Sequence, residues 1–188
     1  DTLQLGILGN GIRMRGTTTA FTSPTNGDIR QNSSGSVEIR SASIARNVSK
    51  LHLCLSANIT AVGTTGTGEE TLQTYTIPAA TQATNADTVA FSMWFATGAN
   101  ADTKRIKVKY GGTTIYDSTA QAVNNGSLVI TGRIVRTGVA TQNCYVEAIS
   151  SDPLYPNTVV FTAAAETMAN AIAIFATGQT NVATANNI

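Results

Sequence analysis

From about residue 50 onward, short runs of alternating apolar and polar residues dominate the chain. Phe91, Met93 and Phe95 alternate with Ser92 and Trp94, and Ile106, Val108 and Tyr110 alternate with Arg105, Lys107 and Lys109. A period of two sends successive side chains to opposite faces of a strand. The pattern predicts strands over 51–56, 72–77, 88–96, 105–110, 113–117, 127–136, 143–149, 158–162 and 171–176. The breaks between them carry turn chemistry: Gly63 to Gly68, Asn85-Ala86-Asp87, Gly111-Gly112, Asn124-Asn125-Gly126, Asp152-Pro153 and Gly178. Many strands with regular turns and no repeating helix predict an all-β fold, an antiparallel β-sandwich or jelly roll. The best helix candidate, AAAETM at 163–168, spans barely two turns, so a turn or short helical piece is expected there.

The first 48 residues read differently. They are rich in Gly, Thr and Ser, with a turn cluster at Ser23-Pro24-Thr25-Asn26-Gly27-Asp28. A small hairpin is expected from 28–31 and 36–41, closed through Asn32-Ser33-Ser34-Gly35. Such a segment cannot build a core alone. It is expected to be an extended arm that packs on its own body or on a neighbour, with Ile29, Val37 and Ile39 as candidate contact positions. The expected organisation is an arm over 1–48, a sandwich over 49–178 and a polar tail, QTNVATANNI, over 179–188.

Composition narrows the class. Charged residues make up only 12% of the chain and apolar ones 42%, with a formal net charge of +1. That balance argues against disorder and gives no field for holding nucleic acid. No apolar run approaches the ~20 residues needed to cross a bilayer, and the start of the chain lacks the order of a secretory signal. No membrane or nucleic-acid partner is expected. The two cysteines, Cys54 and Cys144, sit in apolar runs, where buried free thiols are favoured over one disulfide.

Little in the chain points to catalysis. The single histidine, His52, alternates with leucines and suits a strand surface better than a metal site or a triad. Glu69, Glu70, Asp117, Glu147 and Asp152 read as solvated turn carboxylates rather than a glycosidase pair. The Gly6 to Gly11 and Gly63 to Gly68 stretches lead into no helix, so they read as turns and not as phosphate loops. No enzyme activity, metal or cofactor is expected. Two features remain as candidate interfaces. Arg105, Lys107 and Lys109 share one strand face, either as lysines guarding a sheet edge or as a stripe meeting an acidic neighbour. Trp94 faces away from Phe91, Met93 and Phe95, and either fills the second side of a sandwich or anchors a subunit contact.

Three phrases, TLQTYTIPA (71–79), GANADTKRIKVKYGGTTIYDS (98–118) and NNGSLVITGRIVRTGVATQ (124–142), taken in order, resemble a pattern in virion proteins of tailed bacteriophages. The hairpin GDIRQNSSGSVEIRS resembles short hairpins in phage fibre and decoration proteins. The resemblance implies a jelly roll of the tumour-necrosis-factor type assembled as a homotrimer, without catalytic residues. It further implies a capsid decoration (cement) protein on the virion exterior, bound to the major capsid protein. The alternative it implies is the head of a tail fibre or spike recognising host-surface carbohydrate, with Trp94, Tyr110, Tyr116 or Tyr155 around a groove. Proteins of this pattern continue past Asn186-Asn187-Ile188 with a further apolar strand, which leaves the last strand missing, disordered or differently supplied.

Overall fold

A computed structural model of the protein describes residues 56–188 in full and, before them, the backbone of five short strands. Backbone contacts divide the chain into two units, Asp1–Leu55 and Ser56–Ile188. The strand expected over 51–56, with His52 and Cys54, lies outside the described residues except for Ser56, which belongs to no strand.

In the first unit, β1 (Gly6–Leu8) and β2 (Gly11–Arg13) form an antiparallel pair. β3 (Ile29–Gln31), β4 (Val37–Ser41) and β5 (Ile44–Asn47) form a three-stranded antiparallel sheet in that order. The expected hairpin is present as β3 and β4, with Ile29 opposite Ile39 and Gln31 opposite Val37. β5 and the β1–β2 pair were not legible, because Gly-rich and mixed runs of three or four residues carry no readable period.

The second unit holds eight strands: β6 (Glu70–Ile77), β7 (Thr88–Ala96), β8 (Lys104–Tyr110), β9 (Thr113–Asp117), β10 (Ser127–Gly138), β11 (Thr141–Ser150), β12 (Thr158–Ala164) and β13 (Ile172–Thr180). They form two four-stranded antiparallel sheets, ordered β6-β13-β8-β9 and β12-β11-β10-β7. The chain is therefore an all-β sandwich, and among the described residues there is no helix.

The core lies between the sheets. Ile106, Val108 and Tyr110 of β8 are fully buried, as are Ile130, Ile134 and Val146 of the facing sheet, with Leu128, Cys144, Ala148 and Ile174 nearly so. Each fully buried Ile, Leu or Val removes enough apolar surface to contribute about 1.5–3 kcal/mol. Gly132 interrupts the inward row of β10. A Cβ there would collide with the Phe91 ring and stand 2.8 Å from the Tyr145 carbonyl oxygen, so the ring of the opposing strand fills the gap. Cys144 is buried and free, and burial pushes its thiol up to about 11, which makes it inert.

The turn reading holds at Gly111-Gly112 and Asn125-Gly126, but Gly178 is no break. It lies inside β13, paired with Glu70 and Ile106, where a Cβ would crowd Leu72 and Thr64. β8 and β9 are joined through Gly111-Gly112, with Gly111 at φ +54, and the Glu166 carboxylate accepts the Gly112 N–H at 2.7 Å. Asn125, ahead of Gly126, also takes a left-handed conformation. The AAAETM segment resolves as strand and turn: Ala163 and Ala164 continue β12, paired with Asn143 and Gln142. The Gln142 amide then holds the Glu166 backbone by both ends, at 2.7 and 3.0 Å. That capture settles two turns of alanine-rich chain which could not have formed a helix alone.

Residues 179–188 do not hang free. β13 runs to Thr180, residues 181–186 cross the surface, and Asn187 and Ile188 return into the body, 1% and 8% exposed. Polar composition concealed this, because the amide groups are satisfied by protein rather than by water.

Candidate functional site

The basic stripe occupies the outer face of β8. Strand β8 is central, paired with β13 on one side and β9 on the other, so its lysines guard no edge. They are also neutralised within the same chain. Arg105 forks onto Asp117, Nε reaching Oδ1 at 2.8 Å. Lys107 and Lys109 both bind the Glu69 carboxylate, which also accepts the Thr177 hydroxyl at 3.0 Å. The Lys109 ammonium lies 5.8 Å from the centre of the Phe175 ring. A stripe already paired in this way has little charge left for an acidic neighbour.

The shared carboxylate has a pH signature. Hydrogen bonds from Lys107 and Lys109 hold the Glu69 carboxyl at about 2, below its ordinary 4.5. A carboxyl depressed in the folded state adds stability above its ordinary value and loses it as pH falls toward the folded one. Stability should therefore decline between about pH 4.5 and 2 by about 1–2 kcal/mol on account of this group, after allowance for solvent screening. Urea titrations of the native chain and Glu69→Gln across that range would check this. The variant should lack that part of the decline, and a parallel decline in both would overturn it.

Lys104 stands one position out of phase with the stripe, on the inward parity of β8, and its side chain is fully buried. Its Nζ donates toward the Asn100 carbonyl (3.0 Å), the Asn100 Oδ1 (2.8 Å), the Asp102 carbonyl (3.0 Å) and the Val123 carbonyl (2.7 Å). Four oxygens and no donor suit an ammonium, which has three protons and no lone pair. Burial pushes its pKa below the ordinary lysine value, while the Asp102 carboxylate pulls the other way. The Tyr155 hydroxyl donates to the Lys104 carbonyl at 2.9 Å. Lysine thus ties the 98–103 loop to the 121–126 segment at one end of the sandwich.

The outer face of the other sheet is built differently. Trp94 on β7 sits opposite Val129, and Val129 opposite Ile149. One step along, Ser92, Thr131, Glu147 and Val159 form a row, followed by Ala90, Arg133, Tyr145 and Phe161. Trp94 is 80% exposed and Phe161 78%, with Ile149 and Val159 about half exposed. Tyr145 and Phe161 meet edge to face, ring centres 5.3 Å apart. An apolar band therefore crosses the sheet diagonally from Trp94 to Phe161, with Arg133 and Glu147 beside it. Single exposed apolar residues need no account, but a contiguous band marks a surface that meets something.

Of the expected site residues, Trp94 lies on this band, while Arg105, Lys107 and Lys109 lie on the opposite sheet in ion pairs. Ile29, Val37 and Ile39 are placed only by backbone register in the first unit. Sequence reasoning missed Ile149, Val159 and Phe161, because their strands are apolar at both parities and no period separates outside from inside. Of the aromatics considered for a carbohydrate groove, Tyr110, Tyr116 and Tyr155 are buried and Trp94 is exposed. Of the candidate carboxylates, Glu69 and Asp117 are taken up by the ion pairs, Glu70 by the Thr65 backbone N–H and hydroxyl, and Asp152 by the Leu154 N–H. Among the described residues, no group of three His, Cys, Asp or Glu could hold a metal ion.

Fold and surfaces together define an antiparallel β-sandwich with one ion-paired outer face and one apolar outer face. No protein-family model, no curated protein and no solved structure matches the chain.

Proposed function

We propose that this chain is a non-enzymatic structural protein of a tailed-phage virion, a homotrimeric decoration protein that stabilises the head shell against the major capsid protein. The observation that carries the reading is the apolar band from Trp94 to Phe161. Aromatic anchors with a polar rim are the usual make-up of a protein contact, and Trp, Tyr and Arg are the residues enriched among its anchors. In this reading the band faces the sister subunits about the three-fold axis. The neutralised face of β8 stays in solvent, and the first unit extends contacts to the coat. Many weak contacts per trimer add up through multivalency. The resemblance of the three phrases to a pattern in phage virion proteins is what points to a virion rather than to another assembly. Of the four aromatics named for the fibre-head alternative, only Trp94 stays at the surface, since Tyr110, Tyr116 and Tyr155 are buried.

Two measurements test it. Native mass of the purified chain should give three times 19.5 kDa, and a monomer at high concentration would refute the trimer. In purified particles the copy number should approach that of the coat protein. A far lower ratio, or a signal confined to tail fractions, would refute the shell role.

A further inference from the structure

Asn186–Ile188 fill a slot whose walls are shaped for them. The Gly98 N–H donates to the Asn187 carbonyl at 2.9 Å, the Asn186 N–H to the Thr64 carbonyl at 2.8 Å, and the Thr64 N–H to the Ile188 carbonyl at 3.3 Å. The Asn187 side chain is read at both ends of its amide: Asn100 Nδ2 donates to its Oδ1 at 2.9 Å, and its Nδ2 donates to Asp102 Oδ2 at 2.9 Å. Only an amide offers a donor and an acceptor in that arrangement. Three glycines keep the slot open. A Cβ at Gly63 would stand 2.8 Å from Asn186 Cα, one at Gly98 2.8 Å from Asn187 Oδ1, and one at Gly178 3.1 Å from Ile188 Cδ1.

The reading groups are set independently of the segment they read. Asn100 and Asp102 belong to the loop that the buried Lys104 ammonium holds through their carbonyls and the Asn100 Oδ1. The slot is therefore preorganised, which lowers the cost of filling it. The chain that leads into it is exposed over residues 182–185. It is anchored upstream where Asn181 Oδ1 accepts the Thr103 N–H at 2.7 Å.

We infer that this slot is a sequence-reading site for an Asn-Asn-Ile segment, filled here from the same chain and able to take the segment from a second copy. Exchange keeps every hydrogen bond, so linker strain and local concentration alone decide between the two arrangements. Four linker residues span at most about 14 Å, so the donor must stand directly beside the acceptor. Closely packed copies meet that condition on the assembled surface proposed above, and concentrated chains in solution meet it more readily than dilute ones.

The test uses full-length chains. Asn187→Ala weakens the segment but leaves the slot. Gly98→Val blocks the slot, since its side chain would meet Asn187 Oδ1, but leaves the segment. Mixed at high concentration, with Trp94→Asp and Phe161→Asp in both chains to remove the proposed trimer contact, the two should form one-to-one pairs in native mass spectrometry that neither forms alone. In parallel, a fluorescent peptide NVATANNI, copying residues 181–188, is titrated into the Asn187→Ala chain by anisotropy. It should bind saturably, and replacing the asparagine that corresponds to Asn187 by alanine should weaken it at least tenfold. Peptide binding without mixed pairs would overturn the exchange between copies. No binding, or binding indifferent to that asparagine, would overturn the slot itself. Should Gly98→Val fail to fold, the unmodified chain with excess labelled peptide decides the same point: displacement of its own segment supports exchange, and none refutes it.

Discussion

Lys104→Met is expected to destabilise the Ser56–Ile188 body by about 3–5 kcal/mol, the range seen when one partner of a buried charged network is removed. Methionine matches the length and buries well, so packing loss is not the main cause. The loss comes from the four oxygens of Asn100, Asp102 and Val123 that the ammonium satisfies. A buried carbonyl left without a donor costs about 1–3 kcal/mol, and water entering the site would relieve only part of that. Arginine should not rescue, because its planar fork cannot direct protons to oxygens converging on one point. Thermal unfolding followed by circular dichroism would show a midpoint lowered by roughly 10–20 °C. A change under about 1 kcal/mol would mean that the loop carbonyls find other partners, and that Lys104 does not organise this end of the sandwich.

Trp94→Asp combined with Phe161→Asp should have the opposite profile: little effect on folding and a large one on assembly. Both side chains stand on the solvent face, so replacing them should change chain stability by no more than about 0.5 kcal/mol each. In a buried subunit contact, each truncation of an aromatic anchor is worth about 2 kcal/mol or more, close to a thirtyfold loss of affinity. An uncompensated carboxylate enlarges that loss. Sedimentation velocity at a fixed concentration should shift from the proposed trimer to monomer, while the unfolding midpoint stays near that of the parent. Arg105→Ser with Lys107→Ser, on the ion-paired face, should leave the trimer intact. If the aspartate pair leaves assembly unchanged and the serine pair breaks it, the contact lies on the β8 face and the proposed interface is wrong.

These two sites differ in how far the sequence announces them. Trp94 was legible only as standing on the face opposite Phe91, Met93 and Phe95, which fix the parity of β7; that this face is the outer one came from the sheet packing. Lys104 obeys the same rule, sharing parity with Ile106, Val108 and Tyr110, yet its charge invites reading it with the neighbouring basic residues. What makes its burial tolerable is a set of carbonyls from residues 100, 102 and 123, and no local pattern reveals a cage assembled from loops. Glu69 is similar. Its partners lie 38 and 40 positions away, brought beside it by β13 pairing with both β6 and β8.

The sequence by itself determined the alternation that makes strands, the Gly-Gly and Asn-Gly turns that join them, and the all-β class of the body. Those features are local, since side-chain parity and backbone φ depend on a residue and its immediate neighbours. Only the tertiary structure decided which strands became central, which charges met and which apolar faces stayed outside. Central β8 turned a supposed edge into an ion-paired face, and sheet order left Trp94, Ile149, Val159 and Phe161 in one exposed band. A polar ending became a buried segment once loops far apart in sequence supplied its hydrogen bonds. Register and strand order depend on contacts between distant segments, and a short-range pattern contains no record of them.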